Sequence, residues 1–133
     1  MTNSSAKTNK TPMIITRGIY DLLKTFINKN KLSRHNEAKL DEELKYAQQL
    51  LRKDIPSHIV DLDKRVVVKE LDTGQETEYK FVRPQKAKKK HQTISILSPI
   101  GVALLGYPEG AELSWEMPEG VKSYKIIEVS PLA

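Results

Sequence analysis

The chain has 133 residues, a net charge of +5 and no cysteine. That length holds one domain, or one small domain with an appendage, and it allows a real core without disulfides or metal. Lack of cysteine excludes disulfide staples and thiolate zinc sites, and no apolar run approaches the roughly 20 residues that span a bilayer.

Residues 1–12 are rich in Ser, Thr, Asn and Lys and lack the apolar stretch of a signal peptide, so they are expected to form a floppy cytoplasmic tail. Pro12-Met13-Ile14-Ile15 is a short extended entry, and Thr16 is a good N-cap with Ile15 and Tyr20 placed as a staple across it. Ile19, Leu22, Leu23, Phe26 and Ile27 follow helical spacing and predict a helix to about Asn28. Lys29 to Ser33 is a polar break that offers Ser33 as a second cap. A second helix, Asn36 to Lys53, then carries Leu40, Leu44, Ala47 and Leu51 on one stripe. At about 1.5 Å per residue it would be about 27 Å long. Glu37, Asp41, Glu42 and Glu43 crowd its first half, and Arg52 and Lys53 its end, which suits the helix dipole.

Two such helices make an antiparallel hairpin over residues 13–54, resting at one end on the remainder of the chain. Its other end should protrude into solvent as a polar tip that includes Ser33, Asn36, Glu37 and Asp41.

From residue 55 the hydrophobic period changes from helical to alternating. Ile55-Pro56 stops the helix. Val66 and Val68 alternate with polar neighbours, Asp72-Thr73-Gly74-Gln75 turns the chain, and Thr77, Tyr79 and Phe81 alternate on the return, which makes a hairpin with one wet face. Four lysines follow, Lys86, Lys88, Lys89 and Lys90, and without them the chain would be near neutral. Such a run reads as a solvated loop or as a patch for a nucleic-acid backbone, although it lacks the interleaved aromatics of a single-strand platform.

Thr93 to Leu97 forms a strand that breaks into a short apolar helix, with Ser98 as cap and Pro99 at the first helical position. Val102, Leu104 and Leu105 recur before Gly106 ends the turn. This helix plugs the end of a sheet, and its Ser-Pro corner can also lie exposed at the sheet edge. Leu113, Trp115 and Met117 share a strand face, with Trp115 in the core, and after Pro118-Glu119-Gly120 a last strand runs from Val121 to Val129. The prediction is an α+β chain, with a helical hairpin followed over 55–133 by five antiparallel strands and one short helix. The three histidines, His35, His58 and His91, lie too far apart for metal-ligand spacing, and neither metal nor cofactor is expected.

This order of elements resembles the GreA/GreB family of bacterial transcription elongation factors. The likeness is strongest to its short-hairpin branch, the regulators of nucleoside diphosphate kinase. It rests on Glu43-Leu44-Lys45-Tyr46-Ala47-Gln48, Pro56-Ser57-His58-Ile59-Val60, Arg65-Val66 and Ala103-Leu104-Leu105-Gly106, in the same order and over about Ile14 to Val129. The resemblance implies an FKBP-like second domain that docks on RNA polymerase at the mouth of its secondary channel, with a coiled coil pointing inward. It also implies polymerase contact through the Ser-Pro corner, here Leu97, Ser98, Pro99 and Ile100, although Leu97 stands where some Gre proteins have an acid.

In Gre proteins the coiled-coil tip carries an Asp ahead of a Glu-Asn pair and helps hold a metal ion in the polymerase. Asn36-Glu37 and Asp41-Glu42-Glu43 do not reproduce that order. The resemblance, with that departure, therefore implies a non-enzymatic regulator that does not stimulate transcript cleavage, and the chain is expected to be a monomer. Two other functions remain open on the residues alone: a nucleic-acid-binding module using Lys86 to Lys90, and a prolyl isomerase, for which an FKBP-like fold would be only a precedent.

Overall fold

The computed structural model describes residues 12–132, so the predicted tail lies outside the described residues apart from Pro12. Strand β1 (Ile14–Ile15) leads into helix α1 (Arg17–Asn28), where the Ile19 N–H donates to the Thr16 hydroxyl at 3.2 Å. Ile19, Leu23 and Ile27, four residues apart, form its buried stripe. Helix α2 (Arg34–Lys45) is capped in the same way, with the Asn36 N–H donating to the Ser33 hydroxyl at 3.1 Å.

The second helix is shorter than its stripe predicts. It stops at Lys45, and the chain turns into β2 (Gln48–Gln49), which pairs parallel with β1. The Gln48 N–H donates to the Met13 carbonyl at 2.8 Å and the Leu50 N–H to the Ile15 carbonyl at 3.0 Å. Backbone groups of the entry segment thus claim the residues that would have made the helix's last turns. Leu51 is no stripe residue, at 66% exposed, and Arg52–Asp54 forms a single 3-10 turn.

The sheet comprises β3 (Lys64–Glu70), β4 (Glu76–Val82), β5 (Thr93–Ser95), β6 (Glu112–Met117) and β7 (Gly120–Pro131), in the order β5-β4-β3-β7-β6. It is mixed, not wholly antiparallel. β4 and β5 run parallel, with Lys80 opposite Thr93 and Val82 opposite Ser95, because the lysine-rich connection crosses back before β5 begins. The α+β class stands. Where β3 meets β7 the register shifts between Val67 and Val68, a bulge that adds local twist.

One face of the sheet buries Val66, Val68, Phe81, Leu113, Trp115, Tyr124, Ile126 and Val129, and helix α3 (Pro99–Leu104) closes over the core. On the wet face Arg65 bonds to Glu78 and lies 3.4 Å from Glu128. Gly101 is where α3 touches the β5 strand's continuation. A β-carbon there would fall 2.5 Å from the Ile96 carbonyl oxygen, so only glycine allows this approach.

The hairpin does not stand apart from the sheet. Met13, Ile15, Ile19, Leu23, Leu40 and Leu44 belong to the same hydrophobic cluster as Val66, Phe81, Leu104 and Ile126. The expected protruding tip is corrected at Asn36. That residue is 4% exposed in the first turn of α2, with its carboxamide bonded to the backbone of Glu116 in β6. Lys39, one turn on, donates to the Ser114 carbonyl at 2.7 Å. An edge strand presents a row of unpaired backbone groups, and here helix side chains cover them.

Candidate interaction surface

The Ser98-Pro99 corner is fixed by backbone geometry. The Ile96 N–H donates to the Val82 carbonyl at 2.9 Å, which ties the end of β5 to the end of β4. The Leu97 N–H donates to the Ser95 hydroxyl at 2.9 Å, and the Ser98 hydroxyl accepts from the Gly101 N–H at 3.2 Å. The polar groups of the corner are therefore used in holding its own shape. Pro99 is exposed, Leu97 and Ser98 are half-buried, and Ile100 is 5% exposed. Ile100 is thus a core residue of α3, and the surface of the corner is Pro99 flanked by Leu97 and Ser98.

The lysine connection is a folded loop. Pro84–Lys86 and Lys89–His91 each form one 3-10 turn, and Gln92 takes a left-handed conformation at φ 58°. The Thr93 hydroxyl sits at the crossing and accepts from the Lys88 N–H at 2.9 Å. Lys86, Lys88, Lys89 and Lys90 are all exposed, as are Arg83 and His91 beside them. Composition flagged the four lysines but missed Arg83 and His91. It also missed that parallel pairing brings Arg83 level with Ile96, so that loop and corner share one sheet edge. The available signal was the absence of any Asp or Glu between Glu78 and Glu109.

The residues grouped as a hairpin tip divide by role. Ser33 caps α2 and Asn36 fastens it to β6, whereas Glu37 and Asp41 lie half-buried along the helix surface beside Arg34 and Ala38. The Asp41 carboxylate is 3.4 Å from the Lys24 ammonium of α1. Glu43, at the other end of α2, accepts from the Tyr107 hydroxyl at 2.6 Å. Burial, and then the Glu43 charge and hydrogen bond, push the Tyr107 hydroxyl far above the usual phenol range. Burial lowers Lys39, against the pull of Glu43. Among the described residues no group of three or more His, Asp or Glu side chains is arranged to hold a metal ion. His35, His58 and His91 are all exposed.

A hollow of about 190 Å³ opens at the opposite end of the sheet, lined by Val68, Tyr79, Met117 and Tyr124 and rimmed by the 3.2 Å Glu70–Lys122 ion pair. Burial raises the hydroxyls of Tyr79 and Tyr124, the latter to about 12. It is smaller than the roughly 300 Å³ at which ligand pockets usually begin. No helix of the described residues is long and apolar enough to cross a membrane.

Comparison with known proteins places this surface in context. Residues 55–131, more than half of the chain, match the family model "Transcription elongation factor, GreA/GreB, C-term". The chain is 36% identical over 90 residues to the transcription elongation factor GreA of Syntrophomonas wolfei, covering 68% of the chain and 57% of that protein. It is 32% identical over 85 residues to the regulator of nucleoside diphosphate kinase of Escherichia coli, covering 64% of the chain and 62% of that protein. The chain spans about half the length of the GreA relatives it matches, from 40% to 57%. Among solved structures, the GreA/GreB elongation factor from Nitrosomonas europaea superposes with a TM-score of 0.62 at 29% identity. That match covers 91% of this chain and 99% of the other.

Proposed function

The chain belongs to the GreA/GreB transcription elongation factor family, and on that premise we propose that it is a transcription regulator that docks on RNA polymerase. Docking is through the Ser98-Pro99 corner, at the mouth of the secondary channel, and the protein performs no chemistry of its own. The observation that carries this reading is Pro99. It is an exposed apolar ring on a corner ordered by hydrogen bonds from the Leu97, Ser98 and Gly101 N–H groups within the fold. A surface that is already ordered loses little conformational entropy on binding, which favours rigid docking.

The helical arm supports the second half of the proposal. Each hairpin helix has 12 residues, about 18 Å at 1.5 Å per residue. α2 is also fastened at both ends, by Asn36 to Glu116 and by Glu43 to Tyr107. An arm held against its own sheet domain occupies the channel mouth and leaves the catalytic metal of the polymerase alone. Its acids serve the fold: Asp41 faces Lys24, Glu42 faces Lys45 at 3.5 Å, and Glu43 holds Tyr107.

A pull-down with purified core RNA polymerase tests the docking. The wild-type chain should be retained at micromolar concentration. Pro99→Glu should lose retention while keeping its fold, because an acid at a first helical position is tolerated by the helix dipole. Failure of the wild type to bind would refute the proposal.

A further inference from the structure

The cations of the β4–β5 connection have no role in the fold or in the docking corner. Several cations elsewhere in the chain are coupled to acids or carbonyls: Lys24 to Asp41, Lys39 to Ser114, Lys45 to Glu42, Arg52 to Asp61, Arg65 to Glu78 and Lys122 to Glu70. Among the described residues Lys86, Lys88, Lys89 and Lys90 make no ion pair, and no acidic residue occurs between Glu78 and Glu109 to supply one. Yet the loop is held in shape, with the Lys86 N–H donating to the Arg83 carbonyl at 2.9 Å, the His91 N–H to the Lys88 carbonyl at 3.1 Å, and the Lys88 N–H to Thr93. Asp72 in the β3–β4 turn, Glu76 at the start of β4 and Glu119 in the β6–β7 turn lie at the other end of the same strands, and Asp63, beside Phe81, is the acid nearest the loop end of β4 along the backbone. The seven residues of β4 separate the two ends by about 23 Å, at about 3.3 Å per residue.

We infer that the loop from Arg83 to His91 is a binding site for the phosphate backbone of a nucleic-acid duplex, engaged without regard to base sequence. The composition of the surface favours this over an acidic protein. Interfaces between proteins are built around apolar and aromatic anchors. Among the described residues the exposed large hydrophobics are Tyr46, Leu51, Leu71 and Val121, none of them in the loop. What the loop presents is lysine, arginine, the Gln85 amide and one imidazole, the donor set that phosphate and sugar contacts use. Lys88 is extended, and Lys89 and Lys90 follow it in a 3-10 turn whose three residues per turn send successive side chains in different directions, so the three lysines address several phosphates instead of chelating one. The acidic turns at the far end repel the same polyanion and orient the molecule loop-first. This site makes no use of the docking corner, so either reading can fail without the other.

Fluorescence anisotropy of the purified chain with a labelled 20-base-pair DNA duplex, and with an RNA duplex of the same length, is the direct test. Both should bind, and log K should fall with log salt at a slope of about −3 to −4, as four lysine–phosphate contacts require. Replacing Lys86, Lys88, Lys89 and Lys90 together by Gln should weaken binding at low salt by about tenfold or more and flatten that slope. Replacing Lys29, Lys31, Lys45 and Lys53 by Gln removes the same charge from other exposed positions and should change binding little. Circular dichroism of both variants establishes that they fold. Equal losses from the two quadruple variants, absence of wild-type binding at low salt, or tighter binding of polyglutamate than of either duplex would each overturn the inference.

Discussion

The side-chain amide of Asn36 donates to the Glu116 carbonyl at 2.8 Å and accepts from the Glu116 N–H at 2.9 Å, so one helix residue occupies both outward backbone groups of an edge-strand residue. This pair decides where the hairpin lies, because it fastens the first turn of α2 to β6 across 80 residues of sequence. Asn36→Ala removes both bonds at a buried site and should lower the unfolding free energy by about 2–3 kcal/mol. Urea denaturation measures this, and an unchanged midpoint would show that the contact does not hold the hairpin.

Tyr107 and Glu43 fasten the other end of α2. The folded state keeps the Tyr107 proton far beyond the pH at which an unfolded tyrosine loses it, near 10. A group whose folded pKa is raised contributes stability that is complete below the unfolded value and lost as pH rises above it. Tyr124, raised to about 12, adds to the loss between pH 10 and 12. Stability should therefore decline steadily above pH 10. Tyr107→Phe should cost about 1.5–3 kcal/mol at neutral pH through the lost bond to a carboxylate, and it should show a shallower alkaline decline. Thermal melts from pH 7 to 11 check both. Parallel declines in the two proteins would contradict the assignment to Tyr107.

Gly101 sets the seat of α3. Gly101→Ala places a methyl against the backbone oxygen of Ile96, which cannot rotate away, and should destabilise by about 1–3 kcal/mol or more. A gain in stability from the better helix former would show that α3 can move off the strand.

Much of this architecture is legible in the chain because its signals are local. Thr16, Ser33 and Ser98 each cap the helix that follows, the Val66–Phe81 alternation gives a β-hairpin, and Trp115 is in the core. What was illegible depends on contacts distant in sequence. The helical stripe through Ala47 and Leu51 is genuine as a pattern, but Met13 and Ile15 compete for the same backbone and end the helix at Lys45. A polar residue such as Asn36 reads as solvent-facing until the edge of β6 supplies two partners. Ile100 adjoins an exposed proline, but the residues that follow it in α3, Gly101 to Leu104, are all buried, and it joins them. The parallel β4–β5 pairing follows from a ten-residue crossover that gives no periodic signal.

The acids of α2 provide a test of the arm. Replacing Glu37, Asp41 and Glu42 by their amides leaves the Glu43–Tyr107 bond intact. It removes mainly helix-dipole and exposed ion-pair terms of a few tenths of a kcal/mol each. Polymerase retention by this variant should match the wild type. A several-fold loss of retention would assign these carboxylates to the interface.

The central claim is docking without catalysis, and stalled elongation complexes test it most directly. With GreA present, added protein should suppress transcript cleavage progressively, as two proteins exclusive for one docking site must. Pro99→Glu should fail to suppress it, and the protein alone should leave the transcript at full length. Shortening of the transcript by this protein alone, or cleavage by GreA that is indifferent to it at saturating concentration, would contradict the account.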